Sequence, residues 1–175
     1  MHNNLPKQYY FIEKFDKKIL ENQSRKTAII YRNYSKKINK LEILKLKKFC
    51  NKKKLKLFLA NNFKLALNLN LNGAYLPSYN KSFNHLNFNL KKNFIILGSA
   101  HNLKEIRIKE LQKVNAIFLS SIFKKNSNYL GLLKFLNLSS LSKKKIIALG
   151  GISKKNKKIL NKFNLWGFAG ISYFK

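Results

Sequence analysis

Short apolar stretches of β character alternate with longer stretches of helical character along this 175-residue chain, and that alternation limits its fold more than any other feature. Strands are expected over Tyr9–Ile12, Thr27–Tyr31, Leu55–Ala60, Gly73–Leu76, Phe94–Leu97, Ala116–Leu119, Lys145–Leu149 and Gly167–Ile171. Between them, Lys40–Lys53 reads as a basic helix with Leu41, Ile43, Leu44, Leu46 and Cys50 inward. Asn102 and Glu105 have N-cap and capping-box spacing for a helix over Leu103–Gln112, and Leu130–Asn137 reads as a short helix. Ser153 is placed to cap a helix whose buried side is Ile159, Leu160 and Phe163.

One stretch carries two periods. Phe63, Leu65, Leu67, Leu69 and Leu71 alternate as in a strand, while Phe63, Ala66, Leu67 and Asn70 share a helical face. We read it as a helix, because the strand Gly73–Leu76 follows at once.

Eight strands in βα order predict an α/β fold of the TIM-type (βα)8 barrel kind, small for its class, with a short first connection over Glu13–Arg25 and no final helix. An open doubly wound sheet is the alternative. No linker or repeat divides the chain, so residues 1–175 are read as one barrel domain.

No apolar run reaches the roughly 18 residues of a membrane span, and the amino terminus lacks the pattern of a secretory signal. The single cysteine, Cys50, permits no internal disulfide, so a cytoplasmic location is expected.

The formal charge is +31, from 37 Lys and Arg against 6 Asp and Glu, which raises a polyanion as partner. Only Arg25, Arg32 and Arg107 carry guanidinium groups, however, and the lysines are spread along the whole chain. Specific nucleic-acid readout leans on arginine, so nucleic acid is not the expected partner and the lysines read as solvated faces. Asp16 is the only aspartate, and no carboxylate lies between Glu42 and Glu105. A carboxylate metal cage, a two-carboxylate glycosidase site or a Ser-His-Asp triad is therefore hard to assemble. His2, His85 and His101 lie far apart and match no zinc spacing.

Two strand ends carry the clearest chemical signal. Lys145–Leu149 runs into Gly150-Gly151-Ile152, where backbone N–H groups without side chains in the way can approach an anion. The strand Gly167–Ile171, followed by Ser172, would lie beside it, and loops after strands seven and eight of such barrels commonly bind phosphate. A phosphate-bearing small molecule is the expected ligand.

The chain also resembles a known family from about Ile29 to Tyr173. The resemblance rests on Arg32, Ala60-Asn61-Asn62, Gly73-Ala74-Tyr75-Leu76-Pro77-Ser78, Ser99-Ala100-His101-Asn102, Ala116–Phe123, Leu149-Gly150-Gly151-Ile152 and Gly167–Ser172. In order and spacing these are similar to thiamine-phosphate synthase and its sibling, the thiazole tautomerase TenI. The resemblance implies a transferase of thiamine biosynthesis that joins hydroxymethylpyrimidine diphosphate to thiazole phosphate, releasing pyrophosphate, with Mg2+ assisting. It implies Arg32 and Asn61 as diphosphate contacts, Ser99 as a pyrimidine contact, and Gly150, Gly151, Ile171 and Ser172 as the phosphate cradle. Ser99 and His101 become the candidate catalytic residues, with loop-ordering the competing role for His101.

The chain departs from the family pattern at several places. Asn62 and Asn80 stand where the synthases carry magnesium-binding acids, and amides bind that hard cation weakly. Asn128 stands where a lysine would face the leaving diphosphate, with Lys124 or Lys125 as neighbours able to replace it, and Tyr34 stands at another lysine position. Leu76-Pro77-Ser78 is closer to the tautomerase branch, yet Ser121 occupies that branch's histidine position. A degenerate synthase, a tautomerase-like isomerase and a non-catalytic thiazole- or thiamine-phosphate-binding protein all remain open at this point, as does a homo-oligomer.

Overall fold

Eight parallel strands pair in sequence order and close into a barrel in the computed structural model, which describes residues 5–33 and 39–175. His2 and Tyr34 lie outside the described residues. The strands are β1 (Gln8–Ile12), β2 (Thr27–Tyr31), β3 (Leu57–Ala60), β4 (Gly73–Leu76), β5 (Ile95–Ala100), β6 (Ala116–Leu119), β7 (Lys145–Leu149) and β8 (Gly167–Gly170). The barrel closes where Gln8, Tyr9 and Tyr10 of β1 pair with Phe168, Ala169 and Gly170 of β8, which rules out the open doubly wound sheet. The crossovers carry α1 (Lys17–Glu21), α2 (Lys40–Lys53), α3 (Phe63–Asn68), α4 (Leu103–Leu111), α5 (Gly131–Ser140) and α6 (Lys157–Leu160). Between β4 and β5 a single 3-10 turn, Asn84–Asn87, stands in place of a helix.

Strand alternation builds two apolar layers. Tyr9, Phe11, Ala28, Ile30, Phe58, Tyr75, Leu97, Phe118 and Ile147 point into the barrel, where the rings of Tyr9, Phe11, Tyr75 and Phe118 meet edge to face. The intervening residues, among them Tyr10, Ile29, Leu57, Ile96, Ile117 and Ala148, face the helices. Among the described residues no helix follows β8. Instead Tyr173 and Phe174 fold back, Phe174 stacking on Phe168 and lying 5.2 Å from the Tyr10 ring, so the outer face of β1 and β8 stays covered.

The two-period stretch is helical over Phe63–Asn68, because Asn62 accepts a hydrogen bond from Leu65 N at 3.0 Å and starts the turn. Four expectations are corrected. Leu41 and Leu44 of α2 are exposed, since that helix buries only the face of Ile43, Leu46 and Cys50. β3 begins at Leu57, because Leu55 N is bonded back to Cys50 O at the end of α2. β5 runs on to Ala100, so Gly98 and Ser99 belong to the strand and Ser99 faces inward. The helix expected at Ser153 starts at Lys157 after a turn, with Leu160 buried, Phe163 half-buried and Ile159 exposed.

Candidate functional site

Parallel pairing carries the ends of all eight strands to one rim, which gathers Arg32, Asn61, His101, Ser121, Gly150 and Ile171 around one mouth. The strand register sets their heights: Ala60 pairs with Tyr75, Leu76 with Gly98, Ala100 with Leu119, and Leu149 with Ala169.

On the β1–β5 side, the Arg32 guanidinium lies over the Phe11 ring, 4.7 Å from its centre. Tyr75 is buried beneath the mouth and donates from its hydroxyl to Ser99 Oγ at 2.9 Å. Burial pushes the Tyr75 phenol up, while Ser99 and the nearby Arg32 charge pull partly back. Arg32, Tyr75 and Ser99 therefore form one connected group. The phenol was not singled out from the sequence, although its inward parity in a four-residue strand was the available signal.

Asn61 sits next to this group in the left-handed backbone region, at φ 54°, a conformation asparagine tolerates better than most residues. Its N–H donates to Tyr75 O at 2.8 Å, and its Oδ1 accepts from the Asn80 side chain at 2.6 Å. This brings together the loops after β3 and β4.

The residues at the positions where the resemblance implies magnesium do not fit the ion. Asn62 Oδ1 caps α3, Asn80 Oδ1 accepts from Ser82 N at 2.9 Å, and Asn61 Oδ1 is taken by Asn80. Each amide oxygen is already an acceptor, and none carries charge. Among the described residues no group of three His, Cys, Asp or Glu could hold a metal. Most of the acids have other partners. Asp16 caps α1, and Glu42 accepts from Phe15 N and the Tyr31 hydroxyl, both at 2.8 Å. Glu110 holds Arg107 and the Lys143 N–H.

His101 is engaged by the first turn of α4. Its Nδ1 lies 2.9 Å from Glu105 Oε2, which also accepts the His101 N–H at 2.7 Å. Glu105 thus reaches back from the first turn of α4, whose cap is Asn102, and orders the loop.

On the β6–β8 side, Gly150 and Gly151 take φ values of 105° and 73°, which side chains resist. Gly150 O accepts from Phe123 N at 2.9 Å and Lys124 N at 3.3 Å, while Ser121 Oγ donates to Lys124 O at 2.8 Å. The Gly150 carbonyl is thereby held by the loop after β6, and Gly151 O accepts from Asn156 Nδ2 at 2.8 Å. Among the described residues, the N–H groups of Gly151, Ile152, Ile171 and Ser172 have no protein acceptor. Lys124, Lys125 and Asn128 are exposed beside this corner. A cavity of about 400 Å³, lined in part by Phe11, Glu13, Lys14, Asn33 and Ile171, opens at the adjoining edge of the rim.

The family model described as thiamine monophosphate synthase matches residues 13–174. The chain belongs to the thiamine monophosphate synthase family. Among solved structures, it is similar to the thiamine phosphate pyrophosphorylase from Pyrococcus furiosus, at 21% identity over 97% of this chain and 87% of that one, with a TM-score of 0.75. It is also similar to citrate synthase SbnG, at 8% identity over 95% and 86% of the two chains and a TM-score of 0.66. The HpcH/HpaI aldolase from Desulfitobacterium hafniense DCB-2 gives 9% identity, the same coverages and the same TM-score. At these identities the likenesses concern the barrel fold alone. No curated protein sequence matches the chain. This thiamine monophosphate synthase family member carries the Gly150-Gly151 pair after β7 and the neutral residues Asn62 and Asn80 after β3 and β4. Among the described residues no helix is long and apolar enough to cross a membrane.

Proposed function

We propose that this barrel serves thiamine biosynthesis by binding a phosphorylated thiazole, or the thiamine phosphate made from it, with the phosphate at the ends of β7 and β8. One observation supports the reading: the Gly150 carbonyl is held by the β6 loop and the Gly151 carbonyl by Asn156, while among the described residues the N–H groups of Gly151, Ile152, Ile171 and Ser172 have no protein acceptor. Backbone N–H groups of this kind suit an anion, and the net charge of the chain favours its approach. A chain with one cysteine, free and buried, fits the reducing cytoplasm.

Arg32, Asn61 and Ser99 form the second half of the site, facing a pyrimidine diphosphate. In the coupling, the thiazole nitrogen bonds to the pyrimidine methylene carbon as the carbon–oxygen bond breaks, and pyrophosphate leaves with the electron pair. That departing charge needs cations. Here Arg32 is at the mouth, and Lys124 and Lys125 lie beside the phosphate corner. Charge stabilisation at such a leaving group is worth several kcal/mol of barrier (roughly), so coupling is slow while ground-state binding persists.

A full synthase is the second reading, favoured by the Arg32–Tyr75–Ser99 group. Thiamine phosphate formation, followed with and without magnesium in protein purified free of host synthase, separates the two. Slow formation indifferent to magnesium is expected. Fast, magnesium-dependent formation overturns the proposal in favour of the synthase.

A further inference from the structure

Lys109 lies on the inward face of α4 with its side chain wholly buried, a place normally held by an apolar residue. Room for it comes from Gly98 on β5, where a β-carbon would stand 2.8 Å from Lys109 Cδ. The ammonium donates to Asn80 O at 2.7 Å and to Gln112 Oε1 at 2.8 Å. Gln112, equally buried, donates from Nε2 to Asn80 O at 3.1 Å and to Ser82 O at 2.8 Å. His85, buried on the 3-10 turn, places Nε2 2.8 Å from Gln112 O. From the segment so fixed, the Asn80 carboxamide points to the mouth and donates to Asn61 Oδ1.

We propose that Lys109 is a positioning residue: with Gln112 it pins the carbonyls of Asn80 and Ser82 and so holds the Asn80–Asn61 amide pair in place at the diphosphate end of the mouth. The assignment of that end rests on the function proposed above.

Energetics support a positioning role. Burial pulls the Lys109 ammonium down to about 8, with the Glu105 charge working the other way. A base depressed in the folded state lowers stability fully below that value, and the penalty fades as pH rises toward its ordinary range. At neutral pH the buried ammonium therefore costs stability that a methionine stem would not. Its gain lies in fixing one loop geometry.

Lys109→Met keeps the stem and removes the donors, and Gln112→Leu removes the same attachment from the other partner. Two probes are titrated into each variant, inorganic pyrophosphate for the Asn61 end and thiazole phosphate for the β7–β8 corner. In parallel, the Asn80 side-chain amide is followed by NMR. In either folded variant, a loss of about tenfold in pyrophosphate affinity is expected, with thiazole phosphate within twofold and the Asn80 amide signal shifted and faster exchanging. In the Asn80→Ala background, Lys109→Met should add nothing further. Unchanged pyrophosphate affinity, equal loss for both probes, or an unchanged Asn80 signal overturns the proposal. If the unmodified protein binds neither probe, the proposed function fails instead, and the Asn80 signal alone decides the positioning role.

Discussion

A β-carbon on Gly151 would stand 2.6 Å from the backbone nitrogen of Lys124. The glycine pair after β7 is thus required twice, by its positive φ values and by the close approach of the β6 loop. Gly151→Ala should destabilise the fold by about 1–3 kcal/mol. Gly151→Asp adds a negative charge at the proposed phosphate corner and should abolish thiazole phosphate binding. Urea unfolding and ligand titration of the two variants check this, and a Gly151→Asp protein that binds normally removes the corner from the site.

Arg32 over Phe11 presents a fixed guanidinium at the mouth. Arg32→Ala should weaken pyrophosphate binding by about 10- to 100-fold, the worth of charge-assisted hydrogen bonds. Arg32→Lys should recover only part of it, since lysine loses the planar fork. Equal affinities for all three proteins would take Arg32 out of the anion site.

Tyr9 fills the barrel interior with its hydroxyl buried and, among the described residues, no hydrogen-bond partner. Tyr9→Phe removes the orphaned group while keeping the ring contacts with Phe58 and Phe118. The variant should be more stable by about 1 kcal/mol, raising Tm by about 2–4 °C. Calorimetric melting checks it, and a lower Tm would mean that the hydroxyl has a partner in solution.

Eight strands were legible because each is an apolar run bounded by polar turns, and four of them keep both expected ends. The amphipathic helix over α2 was legible too, but its buried face is narrower than its leucines suggest: Leu41 is 70% exposed. Residues of the glycine corner could be named because glycine pairs after a strand leave a sequence mark. Lys109 and Gln112 could not, since polar side chains at buried positions of α4 and its C-cap look like surface until β4's loop is seen above them. The spacing of Ile106, Lys109 and Gln112 on one helical face was the only hint. The other ends of Asn62 and Asn80 were equally invisible, because capping and turn bonds depend on backbone placement.

Tyr31 donates to Glu42 Oε2 at 2.8 Å, and burial with that carboxylate pushes its phenol up to about 12. The folded state thus favours the neutral phenol. Its stabilising contribution is complete below pH ~10 and is lost as pH rises through about 12. Relative to Tyr31→Phe, the unmodified protein should lose its stability advantage across that interval. Urea midpoints at pH 8, 10 and 11 (approximate settings) check the slope, and a constant difference would place Tyr31 outside the linkage.

Calorimetric titration of thiazole phosphate, in excess chelator and again in excess magnesium, addresses the central claim most directly. Saturable one-to-one binding of similar affinity in both conditions is the predicted result, because the β7–β8 corner presents backbone N–H groups and the amides at the magnesium positions are engaged. Binding that appears only with magnesium, or no binding in either condition, would contradict it.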